Sequence, residues 1–329
     1  MDDNVRLKDF EISLPELDTP GGLQFFKDLT PERLFELGLP PRPNKLTERA
    51  LHKHWVEMLE NVVRTEEAVF SGDLGSVSMP QVSPTRIETS RNWSGARRAP
   101  SHGQRFDRVI GRWKIPRVRR ATAATPLQPN CSIWIGFGGH RRWSKAMPQV
   151  GTEHRAETFD GTSATRHVVW IQWWVRGNTT PPFQAQILAQ PTIMAGDTIL
   201  CWIELLSARK VRFYIRKRGD SVLYRKELDT TTSTVRGVDA YGSSAEWIVE
   251  RPRDPTQSPP QLFPLADFKK IRFTRCAVSA GGGQHSCPRI IRMVEKQRSP
   301  QRLATISMPR KHGALNGGRL LVKRRGPRP

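Results

Sequence analysis

The clearest pattern in the chain is the strict alternation of apolar and polar residues over Ala245–Glu250. Successive side chains of a β-strand point to opposite faces, so the alternation predicts a strand with one apolar, core-facing side. The other side carries Glu246 and Glu250, with Ile248 between them. Acidic residues are disfavoured in half-buried strands. A solvent-exposed strand face is the ordinary explanation, and the alternative is that these carboxyl groups take part in chemistry.

Further short apolar runs, separated by turn-forming residues, predict strands in the rest of the chain. They cover residues 109–115, 132–137, 167–175, 198–206, 211–215 and 270–278, and residues 319–323 are a candidate for a last strand. No internal repeat is present, and no long helical pattern follows Val62. Many short strands with regular turn signals are typical of an all-β sandwich or jelly roll.

The first 70 residues have a helical pattern instead. Thr30 followed by Pro31 is a helix start, and we expect this helix to end near Gly38. A second helix is predicted from Thr47, with apolar residues at three- and four-residue spacing. These residues are Leu51, Trp55, Met58, Leu59 and Val62. We expect the stripe to dock on the β domain, either covering its cleft or serving only as a helical cap, with Trp55 as a packing residue.

Four regions are therefore expected along the chain. They are a helical N-terminal segment (1–70), a Ser-, Gly- and Pro-containing linker (71–91), a β-sandwich domain (92–322) and a basic, disordered tail (323–329). The boundaries follow changes in composition, since linkers and tails lack large apolar residues.

Charge and composition restrict the possible partners. The chain has 329 residues, 37% of them hydrophobic, and a formal net charge of +22 at pH 7. Such a charge attracts acidic partners, including nucleic acid. Lys and Arg are scattered rather than gathered in one motif, so nucleic acid is expected only through non-specific charge. No apolar segment reaches the length of a membrane span, and the first residues lack the features of a secretory signal.

The cysteines do not form a metal-binding pattern. Cys131, Cys201, Cys276 and Cys287 contain no C-x-x-C pair, so no metal site is expected. Cys276 and Cys287 either close a short loop or remain buried thiols.

Several short motifs follow one another in a characteristic order along residues 92–278. They are Asn92-Trp93-Ser94-Gly95-Ala96, 113–118, Trp134-Ile135-Gly136, 148–153, 170–174, 193–199, Ala245–Glu250 and 264–268. In this order they resemble the eqolisins, the glutamic endopeptidase family. Residues 38–43 also resemble the leader region of bacterial-type relatives.

The resemblance implies a two-sheet antiparallel β-sandwich, jelly-roll or concanavalin-like, with a glutamine and a glutamate facing each other across a cleft. The catalytic glutamine corresponds to Gln149 and the catalytic glutamate to Glu250, with Glu246 as its neighbour. The implied substrate-binding residues are Trp134, Glu153, Trp170, Gln172 and Trp174. The resemblance also implies an endopeptidase active at acidic pH, a polypeptide substrate and a secreted or periplasmic location. We expect a monomer without a cofactor.

These residue types suit amide hydrolysis by an activated water. A carboxylate can take a proton from water and return it to the leaving nitrogen. A glutamine amide donates hydrogen bonds and can stabilise the developing oxyanion. Trp170, Gln172 and Trp174 share one strand face, whereas Trp173 points to the opposite face and is expected in the core.

One departure from the family pattern leaves a second function open. The family usually has an acidic residue where this chain has Gly138. A sandwich that binds peptide or carbohydrate, with impaired catalysis, is therefore the alternative to an active endopeptidase.

Overall fold

Two large β-sheets face each other across one hydrophobic core. The computed structural model describes residues 26–74, 82–83, 88–100, 104–119, 128–139, 144–159, 162–178, 183–254, 261–279, 289–295, 301–302, 304–307 and 318–324. The predicted all-β sandwich with a few helices at its N-terminal end is confirmed.

Two helices precede the strands in this part of the chain, α1 (Pro31–Glu36) and α2 (Arg49–Leu59). The strands of its first half are β1 (Arg64–Glu67), β2 (Phe70–Asp73), β3 (Val82–Ser83), β4 (Glu88–Ser90), β5 (Trp93–Arg98), β6 (Arg108–Lys114), β7 (Asn130–Phe137), β8 (Ala146–Phe159), β9 (Thr162–Val175) and β10 (Gln186–Leu188). The strands that follow are β11 (Thr198–Ser207), β12 (Lys210–Lys217), β13 (Val222–Asp229), β14 (Ala245–Glu250), β15 (Arg253–Asp254), β16 (Gln261–Leu262), β17 (Lys270–Ser279), β18 (Arg289–Glu295), β19 (Gln301–Arg302), β20 (Ala304–Ser307) and β21 (Gly318–Arg324).

The strands form an eight-stranded and an eleven-stranded sheet. The order in the first is β1-β13-β12-β11-β6-β17-β21-β20. The order in the second is β2-β10-β9-β8-β7-β14-β5-β18-β4-β3, with β19 paired to β18. Neighbours are antiparallel except for β1 with β13 and β4 with β18, which are parallel. β15 and β16 form a separate small hairpin.

Tryptophans with satisfied indole groups fill the space between the sheets. Trp247 donates to the Ile110 carbonyl at 2.8 Å, and Trp173 donates to the Val238 carbonyl at 3.0 Å. Both side chains are fully buried. A buried indole N–H needs a partner, so these bonds let large aromatic rings lie in the core without a desolvation penalty. The expected core position of Trp173 is confirmed.

The two helices pack on the outer face of the eight-stranded sheet. Thr30 caps α1 by accepting from the Arg33 amide at 3.2 Å, as expected. Trp55 of α2 is fully buried and donates to the Pro40 carbonyl at 2.8 Å. The sheet residues beneath the helices are Ile110, Leu200, Trp202, Tyr214, Leu223 and Ala277. The helical stripe therefore docks on the β domain, but on the sheet opposite the one that carries Gln149.

The second helix begins later than expected, at Arg49 rather than Thr47. The Asn44 side-chain oxygen accepts from the amides of Leu46 and Thr47 at 2.8 and 3.0 Å. Such local side-chain bonds stabilise a turn in competition with the helix. At the other end, Arg216 donates to the Met58 carbonyl at 2.9 Å and caps the C-terminus of α2.

The described ends of the predicted linker, 71–91, are strands. β2 pairs with β10 at one edge of the eleven-stranded sheet, and β4 pairs with β18 near the other edge. The short sequences of β2 and β4 lack the alternation that predicts a strand. They form strands because an existing sheet edge supplies their hydrogen bonds. The predicted tail begins inside β21, which ends at Arg324, while residues 325–329 and Cys287 lie outside the described residues.

None of the described helices is long and apolar enough to cross a membrane.

We predict that Trp55→Ala lowers the free energy of unfolding by about 3–5 kcal/mol, since it removes a buried aromatic ring between α2 and the sheet. The matched control is Leu46→Ala in the same segment, because Leu46 is 84% exposed. Its effect should stay within about 0.5 kcal/mol. Urea denaturation of both variants measures the difference, and equal effects would show that α2 does not stabilise the sheet.

Candidate active site

Four adjacent strands place polar side chains in one row across the eleven-stranded sheet. Glu246 of β14 pairs with Gly136 of β7, Gly136 with Gln149 of β8, and Gln149 with Gln172 of β9. We call this set the Gly136 row. Paired residues of neighbouring strands point to the same face of a sheet. The three long polar side chains of the row therefore project side by side on one face.

Gly136 leaves space between Gln149 and Glu246. Neighbouring strands lie about 4.8 Å apart, so the backbones of these two residues are separated by roughly 10 Å with one strand between them. A Cβ atom at Gly136 would lie 3.0 Å from Gln149 Cβ and 3.3 Å from the Trp134 ring. Because glycine has no side chain, the carboxyl and amide groups can approach each other above it.

Glu250 belongs to a different row. It pairs with Ser132, which pairs with Glu153, and we call this set the Ser132 row. Four residues along β14 correspond to roughly 14 Å. The expected facing pair, Gln149 with Glu250, is therefore not the pair that the register forms; Glu246 takes that position. The sequence motif contains both glutamates on one strand face, and only the register distinguishes them.

Glu250 is held by hydrogen bonds to two buried side chains. Its Oε1 accepts from Asn92 Nδ2 at 3.1 Å, and its Oε2 accepts from Trp134 Nε1 at 2.8 Å. In the same row, Glu153 accepts from Arg155 Nε at 2.7 Å and from Ser132 Oγ at 3.2 Å. These contacts fix the orientation of the Trp134 ring and the end of the row.

The Gln149 amide is oriented by a chain of hydrogen bonds. Its Nε2 donates to Gln172 Oε1 at 2.7 Å, and Gln172 Nε2 donates to the Phe183 carbonyl at 2.8 Å. Gln149 Oε1 is buried and has no partner among the described residues. One N–H of Gln149 is thus used to fix the amide, and its second N–H and its oxygen can serve a ligand.

Glu246 is a fully buried carboxyl group whose two oxygens have no hydrogen-bond partner among the described residues. Burial raises the pKa of Glu246 from 4.5 to about 8, and the nearby Ser244 hydroxyl and Arg97 guanidinium offset only part of that rise. A buried carboxyl without a partner is more stable as the neutral acid. Glu246 is therefore protonated over most of the pH range below 8.

A buried ion pair keeps Arg97 away from Glu246. Arg97 is the cross-strand neighbour of Glu246 on β5. Its Nε donates to the two oxygens of Glu88 at 3.0 and 2.8 Å, and its Nη2 makes a further contact with the same carboxylate. Because Glu88 binds this guanidinium, Glu246 does not form an ion pair with it. The sequence motifs did not indicate Arg97 or Glu88; the one signal in the sequence was a charged residue, Arg97, directly after the predicted motif 92–96.

The predicted tryptophans lie on the same face as the Gly136 row, which we call the tryptophan face. Its aromatic residues are Trp93, Trp134, Trp170 and Trp174. Trp93 and Trp134 form an edge-to-face pair with centroids 5.0 Å apart, and Arg176 lies 5.4 Å above the Trp174 ring. All four rings are at most 2% exposed. The sequence predicted the common face of Trp170 and Trp174, and the resemblance added Trp134 but not Trp93. The burial of the four rings shows a covered surface rather than an open cleft.

A small space of about 10 Å³ lies beside Glu153, between Arg166 and Ile187, which is about the room that one water molecule needs. In the described part of the chain, no three His, Cys, Asp or Glu side chains gather as ligands for a metal ion.

Comparison with known proteins identifies the family. The profile of the Peptidase A4 family matches residues 91–313, about two thirds of the chain. The chain belongs to the Peptidase A4 family. It is a glutamic-type endopeptidase, and its substrate is a polypeptide. The resemblance to the eqolisins predicted from the motifs is confirmed.

Solved structures of two peptidases share the fold of this one. One is a scytalido-glutamic peptidase with a transition state analog inhibitor, at 19% identity and a TM-score of 0.54, covering 71% of this chain and 98% of that chain. The other is SCP-B, a member of the eqolisin family in complex with the tripeptide Ala-Ile-His, at 19% identity, a TM-score of 0.52 and the same coverage. No curated protein matches the peptidase at a significant level.

Backbone geometry explains why the peptidase has glycine at position 138. Gly138 has a φ of +75°, a region that L-residues rarely occupy. A Cβ atom there would lie 2.7 Å from Ser144 Oγ and 2.8 Å from the Ala146 carbonyl oxygen. A side chain at this position would be strained, which accounts for glycine here.

We predict that burial of Glu246 makes the peptidase less stable as pH rises. Between 4.5 and about 8 the unfolded chain releases the Glu246 proton while the folded chain retains it. Relative to Glu246→Gln, the wild type should therefore lose about 1.4 kcal/mol of unfolding free energy per pH unit across this window.

The measurement is urea denaturation of both proteins at several pH values. The exposed residue Glu32 provides a matched control, Glu32→Gln. A difference between wild type and Glu246→Gln that stays constant from pH 4.5 to 8 would contradict the assignment of a neutral, buried Glu246.

Proposed function

We propose that the peptidase hydrolyses peptide bonds with Gln149 and Glu246 as its catalytic pair, acting on a water molecule between them. The observation that carries this proposal is the Gly136 row, in which the two side chains flank a residue without a side chain. A water bound above Gly136 would be within reach of both groups. Proximity of this kind is the first requirement for acid–base catalysis.

The neutral form of Glu246 can move both protons of the reaction. When water attacks the scissile carbonyl carbon, one of its protons passes to the unprotonated oxygen of the carboxyl group. In the same step the proton on the other oxygen passes to the amide nitrogen, so the carboxyl group stays neutral while the C–N bond breaks. The carboxyl group ends neutral, and the products are a carboxylic acid and an amine. Among the described residues, neither Glu246 oxygen has a hydrogen-bond partner, which supports this role, since both oxygens are needed.

Gln149 supplies the hydrogen bond that the developing oxyanion needs. Its remaining N–H can donate to the carbonyl oxygen as negative charge builds up. The bond to Gln172 holds the amide in one orientation before substrate arrives, so no reorganisation is needed during the reaction. Gln172 is thus a positioning residue for Gln149.

Substrate binding by Trp134, Glu153, Trp170, Gln172 and Trp174 stays a prediction. Their shared face and their distribution over three adjacent strands support contact with an extended peptide. Because these side chains are buried, part of the chain that covers the tryptophan face must move to admit a polypeptide. Glu250 contributes by holding Asn92 and the Trp134 ring.

We predict that Glu246→Gln and Gln149→Ala each reduce kcat on a denatured protein substrate by about a hundredfold or more. Glu250→Gln keeps the size of its side chain and leaves the Gly136 row intact, so its loss should be about tenfold or less. Thermal unfolding of each variant controls for loss of structure. Abolished turnover in Glu250→Gln together with near-normal turnover in Glu246→Gln would contradict the proposed pair.

We also predict that kcat/KM is highest on the acid side of neutrality. The active form carries a protonated Glu246, whose pKa burial raises to about 8, so the rate should fall as pH rises through that value. A decline of about tenfold per pH unit is expected above it. A rate that continues to increase beyond pH 8 would show that Glu246 acts in its ionised form.

The second candidate function is ligand binding with impaired catalysis. The glycine at position 138, in place of an acidic residue, favours it. A protein of this kind would bind a peptide or a carbohydrate on the tryptophan face without cleaving it. Saturable binding with no cleavage by the wild type at any pH from 2 to 8 would support that function over hydrolysis.

A further inference from the structure

A second cavity lies on the outer side of the eight-stranded sheet, across the hydrophobic core from the Gly136 row. Its volume is about 800 Å³, and it lies where β6, β11, β12 and β17 continue past the end of α2. Seven of its lining residues are basic and none is acidic. They are Arg112, Lys114, Arg117, Arg218, Lys269, Lys270 and Arg272. The size is that of a small-molecule site.

The strand pattern explains why these side chains gather there. Ile110, Arg112 and Lys114 alternate along β6 and point to the outer face of the sheet. The helices cover the part of this face that contains Ile110. Beyond them the face continues with basic residues, so the helices end where the apolar surface ends.

Like charges are opposed across this part of the sheet. Phe273 pairs with Trp113, which brings the next residues along, Arg272 and Lys114, to adjacent positions. Lys114 pairs with Thr198, and the Arg218 amide donates to the Thr198 carbonyl at 2.8 Å. Three cations therefore follow one another across four strands with only a threonine between them. Like charges at facing positions destabilise a sheet.

Counter-charge comes from Glu57 of α2, which lies beside the cavity rather than in its lining, and this carboxylate is shared. Glu57 contacts Arg112, lies 3.6 Å from Arg218 Nε and 3.4 Å from Arg275 Nε. One carboxylate thus serves three guanidinium groups. The remaining five basic lining residues have no ion pair within the described parts of the chain. They are Lys114, Arg117, Lys269, Lys270 and Arg272.

We propose that this cavity binds a compact, multiply charged phosphate anion. Several negative charges within a small volume are needed to offset five unpaired cations. Arginine donates two parallel hydrogen bonds to phosphate oxygens, and lysine adds a point charge. A single carboxylate or chloride ion carries too little charge, while a volume of about 800 Å³ that is open to solvent has room for a chain of a few phosphates. The site lies on the sheet opposite the Gly136 row and is independent of the proposed catalysis.

The test is isothermal titration of the full chain with inorganic tripolyphosphate at about 0.15 M salt, where non-specific attraction is partly screened. The test variant is Lys114→Ala with Arg272→Ala. The matched control, Lys45→Ala with Arg236→Ala, removes the same charge from two exposed residues outside the cavity. We expect one anion bound per wild-type chain. The dissociation constant should rise about tenfold or more in the test variant and change little in the control.

Thermal unfolding provides a second measurement that does not depend on the calorimetric titration. Without anion, the test variant should melt at the same temperature as the wild type or at a higher one, because two opposed cations are removed. Tripolyphosphate should raise the melting temperature of the wild type more than the melting temperature of the test variant. Competition by a short oligothymidylate would assign the site to a polynucleotide backbone, and no competition to a free polyphosphate. Equal weakening in both double variants, or no saturable binding by the wild type, would overturn the proposal.

Discussion

The register between β14, β7 and β8 decides which side chains meet on the tryptophan face. Side chains alternate with a period of two along each strand, so both Glu246 and Glu250 point to this face. Only one of them can share a cross-strand row with Gln149. That row passes through Gly136, and the other through Ser132. A shift of four residues in the pairing of β14 would bring Glu250 to the row of Gly136 while keeping every apolar side chain on the core face, so the turn and edge contacts of β14 also matter.

The same register creates an electrostatic environment that a solvent-exposed pair would not have. Glu246 is neutral because it is buried and because Glu88 binds the neighbouring guanidinium of Arg97. A buried ion pair is not an efficient source of stability, since desolvation offsets most of the attraction. The ion pair between Arg97 and Glu88 acts here on Glu246. Without Glu88, the unpaired guanidinium of Arg97 on the adjacent strand would favour the ionised form of Glu246. Stability at neutral pH is thus reduced at the position where reactivity is proposed.

The sequence predicted those features that depend on local patterns. Alternation located β14 and most other core strands, the Thr30-Pro31 start located α1, and the stripe containing Trp55 identified the packed side of α2. Features that depend on non-local contacts were missed. β2 and β4 form because sheet edges accept them, and only the register shows that Glu246, rather than Glu250, shares a cross-strand row with Gln149. The 14-residue strand β8 was also missed, because Gly151 and several polar residues interrupt its apolar pattern.

The proposed catalysis depends on a neutral Glu246 that faces Gln149, and infrared difference spectroscopy of the carboxyl stretch detects this protonation state. Spectra of the wild type, Glu246→Gln and Glu250→Gln are recorded from pH 4 to pH 9. We expect a protonated-carboxyl band that disappears as pH rises through about 8, is absent in Glu246→Gln and is retained in Glu250→Gln. We further expect that Gln149→Ala shifts the frequency of this band, since the amide lies beside the carboxyl group. A band that is lost in Glu250→Gln but retained in Glu246→Gln would show that the buried neutral carboxyl group is Glu250 and not Glu246.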